Sequence, residues 1–224
     1  MKIAVLGAES TGKSQLAGKL ASALRGQGKT VSVVGEYLRE WCDLHGRTPR
    51  ANEQALIAHE QVRRVEAAIC TPAAHSLVIA DTTAVMTSVY SELLFNDASL
   101  RDFAAAHQRS YDLTLLTGLD LPWIGDGMQR DGPHTREGTD TLLRATLGRA
   151  GLGYQVVYGT GPLRLDNALN SINAIFSGAN FLYGTRATGS FLSKKPGKKS
   201  AWVWPCDKCS DPDCEHRLFT RLSG

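Results

Sequence analysis

Residues 2–14 read Lys2-Ile3-Ala4-Val5-Leu6-Gly7-Ala8-Glu9-Ser10-Thr11-Gly12-Lys13-Ser14. The first five form a short, nearly continuous apolar run, the pattern of a strand covered on both faces. The next eight fit G-x-x-x-x-G-K-[ST] at every fixed position. Each fixed residue has a physical reason. Gly7 and Gly12 let the backbone turn tightly, so that successive N–H groups point at one anion. A helix starting near Lys13 adds the partial positive charge of its N-terminus. Lys13 then reaches the β- and γ-phosphates of a nucleotide, and the Ser14 hydroxyl ligates Mg²⁺. The alternative is a glycine-rich turn that matches by accident. The strand before it and the helical spacing after it weigh against that alternative.

Outward from this loop the same alternation continues. Val31–Val34, Leu77–Ala80, Leu113–Leu116 and Gln155–Tyr158 are further short apolar runs. Between and after them, helical spacing is expected over Ser14–Leu24, Asn52–Ile69 (capped by Asn52), Thr83–Phe95, Leu100–Gln108, Asp140–Ala150 and Arg164–Phe176. Alternating strands and helices predict an α/β fold with a parallel sheet and helices on both faces. No repeat of fixed period is present. After about residue 177 the composition turns to Gly, Ser and Lys, ending in Lys194-Lys195-Pro196-Gly197-Lys198-Lys199. The expected organisation is a main domain over 1–176, a flexible linker over 177–199 and a cysteine-rich appendix over 200–224.

The bulk numbers agree. The 224 residues are 42% hydrophobic, enough to bury a sizeable core without a disulfide scaffold and too apolar for a disordered chain. No apolar run approaches the length that spans a membrane. Glu9 interrupts the apolar start before a signal-peptide core forms, so a cytoplasmic protein is expected. Net charge is +3, too weak to argue for nucleic acid.

Ligands of open α/β sheets bind at the carboxyl ends of the strands. The second strand ends in Gly35-Glu36-Tyr37-Leu38-Arg39-Glu40 and the third in Asp81-Thr82-Thr83. The fourth leads to Asp120-Leu121-Pro122-Trp123 and on to Asp126 and Arg130, and the fifth to Gly159-Thr160-Gly161-Pro162-Leu163-Arg164. Asp81 has the character of a carboxylate that holds Mg²⁺, directly or through water. It also suits the N-cap of the helix after it, and the two roles are compatible. Two readings of Glu36 stand equally: a base that orients an acceptor hydroxyl, or a helix-start carboxylate paired with Arg39. Tyr37 and Trp123 stack on a flat ring or pack in the core. Arg130 and Arg136 flank a polar Gly/Pro stretch that reads as a lid, the alternative being a solvated loop.

Cys206, Cys209, Cys214 and His216 read C-x₂-C-x₄-C-x-H, a donor set for tetrahedral Zn²⁺. A free or disulfide-prone cluster is the alternative. Cys42 and Cys70 are expected to be core or half-buried thiols.

Together these residues resemble the ribosylnicotinamide kinase domain of NadR-type proteins, within the AAA-type P-loop ATPase/kinase group. The resemblance rests on G-A-E-S-T-G-K-S, on G-E-Y-L-R-E after the second strand, and on A-D-T-T followed by V-Y-S-E-L-L-F. Y-D-L-T-L-L-T and D-L-P-W-I-G-D-G-M-Q-R continue it, over roughly residues 1–170. It implies a P-loop, nucleoside-kinase-like three-layer fold with strand order 2-3-1-4-5. It implies phosphorylation of the 5′-hydroxyl of nicotinamide riboside by ATP with Mg²⁺. Lys13, Glu36, Asp81 and Arg130 are then the catalytic set. Gly7, Glu9, Ser10, Thr11, Gly12, Lys13, Ser14, Gln15 and Arg136 bind the nucleotide. Glu36, Tyr37, Arg39, Asp81, Trp123 and Asp126 face the acceptor, with Ser14 and Asp81 on the metal. The base is left open between Glu36 and Asp81. The phosphate loop lies almost at Met1, so a stand-alone domain is expected, and the cysteine tail is foreign to the family pattern. The second reading is an ATPase or nucleotide-sensing module that acts on a protein or nucleic-acid partner.

Overall fold

The structure is a computed structural model that describes residues 1–70, 77–124 and 135–183, with side chains as far as Phe176. Its elements are β1 (Lys2–Leu6), α1 (Lys13–Gly26), β2 (Val31–Val34), α2 (Tyr37–His45), α3 (Gln54–Ile69), β3 (Leu77–Asp81), α4 (Ala84–Phe95), α5 (Arg101–Gln108), β4 (Leu113–Thr117), α6 (Thr135–Arg149), β5 (Gln155–Val157) and α7 (Gly161–Tyr183). The strands form one five-stranded sheet in the order β2-β3-β1-β4-β5. Every pairing is parallel.

The pleat sorts each strand's side chains onto two faces. Ile3 and Val5 of β1 point to one side, where they join Leu16, Leu20 and Leu24 of α1 and Ile172 of α7. Ala4 and Leu6 point to the other, among Val85, Met86 and Val89 of α4 and Leu143 and Leu147 of α6. The sheet is thus sandwiched between helices, and β1, β3 and β4 carry near-continuous apolar runs for that reason. Truncating a fully buried leucine such as Leu20 or Leu147 to Ala would cost about 2–5 kcal/mol.

Four local features differ from the pattern read in the sequence. The stretch after β2 continues as a helix, α2. Tyr37, Leu38, Trp41 and Cys42 recur at helical spacing and pack on Ile57 of α3, and Gly46 ends the helix in the left-handed region at φ 65°. Asn52 caps nothing: it lies within a 3₁₀ turn, Ala51–Glu53, that precedes α3. Glu53 closes that turn, accepting from the Arg50 N–H at 2.7 Å and pairing with Arg47. Thr83, not Asp81, caps α4. Finally α7 runs to Tyr183, past the expected helix end at Phe176, because an established helix gains a hydrogen bond per added residue and tolerates a lone glycine. Cys42 is buried as expected, whereas Cys70 is exposed at the end of α3.

Among the described residues, no helix is long and apolar enough to cross a membrane.

Candidate active site

The site is built where β1, at the centre of the sheet, delivers the chain between β3 on one side and β4 on the other. Gly7 (φ 149°), Ser10 (φ 56°) and Gly12 (φ 76°) hold left-handed or otherwise unusual backbone, which winds residues 7–12 into a loop. Gly7 is obligatory for a second reason. A Cβ there would sit 2.0 Å from the Thr117 hydroxyl. That hydroxyl, at the end of β4, donates to the Leu6 carbonyl at 3.0 Å and meets the Thr11 hydroxyl at 2.7 Å. Two side chains converge on the Ala8 carbonyl: the Thr11 hydroxyl at 2.7 Å and the Lys13 ammonium at 2.9 Å. Ser10 clasps the backbone of Ile124, donating to its carbonyl at 3.0 Å and accepting from its N–H at 2.7 Å. The loop is therefore joined to the segment that follows Asp120-Leu121-Pro122-Trp123.

β3 ends in Asp81, which is buried, paired in register with Val5 of β1. Its Oδ1 is buried with no hydrogen-bond partner among the described residues. Thr83 takes the capping role instead, accepting from the Val85 N–H, so the Asp81 carboxylate is not consumed by α4. Thr82, at φ 71°, makes the sharp exit from the strand.

Glu36 leads into α2 from the end of β2 with no capping hydrogen bond from its side chain. Its carboxylate lies 3.6 Å from the Arg39 guanidinium. Burial pushes Glu36 above its ordinary carboxylate range. Lys13 and Arg39 pull it back down, and Asp81 and Glu9 push it further up. Lys13, Asp81, Arg39 and Glu9 thus all act electrostatically on one buried carboxyl. The sequence separates these residues by up to 72 positions, from Glu9 to Asp81. Glu36 is partnered with Arg39, and the charges of Lys13 and Glu9 in the phosphate loop act on its carboxyl.

Other candidates are placed differently. Tyr37 packs against the Trp41–Cys42–Ile57 cluster, and Arg64 of α3 lies over its ring at 4.3 Å. Its N–H donates to Gln61, which in turn holds the Gly35 carbonyl. Trp123 is half-buried, with an indole N–H that has no hydrogen-bond partner among the described residues. Arg136 is buried in α6 and donates to the carbonyls of Leu121 at 2.9 Å and Leu119 at 3.4 Å, bracing the segment after β4. Asp126, Arg130, Cys206, Cys209, Cys214 and His216 lie outside the described residues. Among the described residues, no group of His, Cys, Asp and Glu is clustered densely enough to cage a metal by itself. An Mg²⁺ held by Ser14 and Asp81 needs no such cage, because this ion keeps several waters and takes substrate phosphates as ligands. The unpartnered, buried Asp81 Oδ1 fits that role.

Sequence reasoning did not single out Thr117, Asp120 or Arg164. Their signal was present only as position, at the ends of the fourth and fifth strands.

The sequence profile of the AAA domain family matches residues 2–163. The chain belongs to the AAA domain family. No curated protein matches it in sequence. In three dimensions the AAA domain of this chain is similar to a NadR protein in complex with NAD and AMP-PNP, with TM-score 0.64 and 21% identity over 86% of this chain and 51% of that one. A NadR protein in complex with NR superposes with TM-score 0.66 and 21% identity over 86% and 54%. A deoxyadenosine kinase from M. mycoides with bound dCTP superposes with TM-score 0.50 and 12% identity over 78% of this chain and all of that one. At these identities the likeness is one of fold: a P-loop, nucleoside-kinase-like fold with the strand order the resemblance implied. The chain spans about half the length of the two NadR chains.

Proposed function

We propose that this AAA domain transfers the γ-phosphoryl group of ATP to the 5′-hydroxyl of a nucleoside, with nicotinamide riboside the leading acceptor. One observation carries the reading. A buried carboxyl, Glu36, sits in the same electrostatic cluster as Lys13 of the phosphate loop and Asp81. Such a carboxylate would hold an acceptor hydroxyl in line and take its proton, and it would do the same for an attacking water, so the response to an added nucleoside is what separates the kinase from the ATPase.

In this reading the loop N–H groups and Lys13 bind the phosphates, and Ser14 and Asp81 hold Mg²⁺. The metal supplies charge neutralisation on the phosphates. Glu36 orients the acceptor hydroxyl and accepts its proton. Burial raises its basicity, and Lys13 and Arg39 keep the carboxylate form accessible. Asp81 is then the metal ligand rather than the base. Trp123 offers its half-buried indole to the acceptor's ring, while Arg39 fixes Glu36. Arg130 and Asp126 belong to the proposed lid and acceptor side. Arg136 shapes that side from behind by holding Leu119 and Leu121. We further propose that Cys206, Cys209, Cys214 and His216 hold a structural Zn²⁺, and that the protein works in the cytoplasm.

The test is ADP release from Mg²⁺-ATP with and without nicotinamide riboside, with Lys13→Ala as the inactive control. Strong stimulation, with the mononucleotide as product, is expected. Stimulation by a protein or nucleic acid instead would favour the ATPase reading. Normal turnover in Lys13→Ala would sink the phosphate-loop assignment.

A further inference from the structure

Arg164, in the first turn of α7, is 5% exposed and ties together loops from three strands. Its Nη1 donates to Asp120 Oδ1 at 2.9 Å and to the Gly159 carbonyl at 2.9 Å. Its Nη2 donates to the Thr11 carbonyl at 2.8 Å. The second oxygen of Asp120 accepts from the Gly159 N–H at 2.6 Å. Asp120 follows β4, Gly159 follows β5, and Thr11 belongs to the phosphate loop after β1. None of these bonds is part of the sheet ladder.

Stability alone is a weak reason for such an arrangement. A buried ion pair often contributes no more than well-packed apolar side chains would. Geometry gives a better reason. The chain contains no cis peptide bond among its described residues, so the Thr11–Gly12 peptide is trans. In a planar trans peptide the C=O and the following N–H point in opposite directions. Holding the Thr11 carbonyl toward α7 therefore turns the Gly12 N–H away from α7. The preceding turn is fixed from the β4 side by Thr117, whose hydroxyl occupies the notch that Gly7 leaves open. Arg164 completes the brace at the other end of the loop.

We propose that Arg164, oriented by Asp120, is a positioning residue that sets the Thr11–Gly12 peptide and with it the anion-binding face of the phosphate loop. This rests on the reading of residues 7–14 as an ATP phosphate loop. It adds that the loop's shape is imposed by a side chain some 150 residues away, and is not intrinsic to the motif.

The test is calorimetric titration of the full chain with Mg²⁺-ATP and, separately, with inorganic tripolyphosphate. It is done at a temperature where circular dichroism shows each variant folded. Arg164→Gln is expected to weaken both ligands by a similar factor, about ten- to a hundredfold, the scale on which small misplacements act. Arg164→Lys should recover part of the loss, since one ammonium reaches only some of the acceptors. Asp120→Asn leaves Arg164 in place but removes the charge that orients it, and should fall between wild type and Arg164→Gln. It also decides the matter if Arg164→Gln does not fold. Unchanged affinities in folded variants overturn the proposal, even if their melting temperatures drop. So does a loss confined to ATP with tripolyphosphate binding retained. A wild-type chain that binds neither ligand overturns the ATP reading itself, and the positioning role with it.

Discussion

At the scale of single residues, Glu36 and Gly7 show how burial and contact decide a role. Burial lifts the Glu36 carboxyl above its ordinary value of 4.5. The folded protein therefore holds that proton more tightly than the unfolded chain does. The group's contribution to stability is fully present below 4.5 and is lost as pH rises through the raised value. Glu36→Gln, which stays neutral, escapes that loss. Its urea midpoint should gain on wild type as pH rises above 4.5, while its turnover falls by about a hundredfold or more. A constant gap in midpoint would mean that the carboxyl is not desolvated. Gly7→Ala meets both the Thr117 hydroxyl and an unfavourable backbone angle, and is expected to cost about 1–3 kcal/mol or more. Adding Thr117→Ala removes the oxygen but leaves Thr11 and the Thr117 carbonyl within 3.2 Å and the angle unchanged. Urea denaturation should show only partial recovery in the double variant. Full recovery would make the clash the whole cost. The need for glycine at 7 was legible in the motif. The identity of the atom that demands it was not, because Thr117 arrives through the pairing of β4 with β1.

At the scale of elements, the end of β3 and the start of α4 divide two tasks between Asp81 and Thr83. Either residue type caps a helix, so sequence could not assign the cap. The structure gives it to Thr83, whose hydroxyl also donates to Gln108 at 2.7 Å in the interior. Gln108 in turn donates to Thr114 of β4 at 2.8 Å. Thr83→Ala should therefore lower stability by about 1–3 kcal/mol, from a lost cap and a disrupted buried network. Asp81→Asn exchanges a buried charged carboxylate, one oxygen of which has no partner among the described residues, for a neutral amide that is cheaper to bury, and is expected to melt no lower than wild type. It should instead raise the Mg²⁺ concentration needed for turnover. Melting curves for both variants, together with a Mg²⁺ titration, check the division. An Asp81→Asn protein less stable than Thr83→Ala would make Asp81 structural. Helix α2 teaches a related lesson. Its four apolar residues had helical spacing, but the run is short and starts at a strand end. Only packing on Ile57 of α3 makes it worth forming.

At the scale of the whole molecule, the proposed zinc site would order a tail too short to build a core of its own. Full-length protein purified without added metal should carry about one zinc per chain, and Cys209→Ser should lose it. Metal analysis that finds none would remove the site. The fold itself was largely written in the sequence. Apolar runs of four or five residues, alternating with helical spacing and opened by G-x-x-x-x-G-K-S, specify a parallel sheet covered on both faces, because no other arrangement buries them. The phosphate loop was equally local, since its function needs neighbouring N–H groups and two glycines. What only the tertiary structure decided are the relations between strand ends: the charges of Lys13 and Asp81 acting on Glu36, Thr117 in the notch of Gly7, and Arg164 on the carbonyl of Thr11. These depend on which strands become neighbours and in what register. Hydrophobic burial sets that globally, and no local pattern records it.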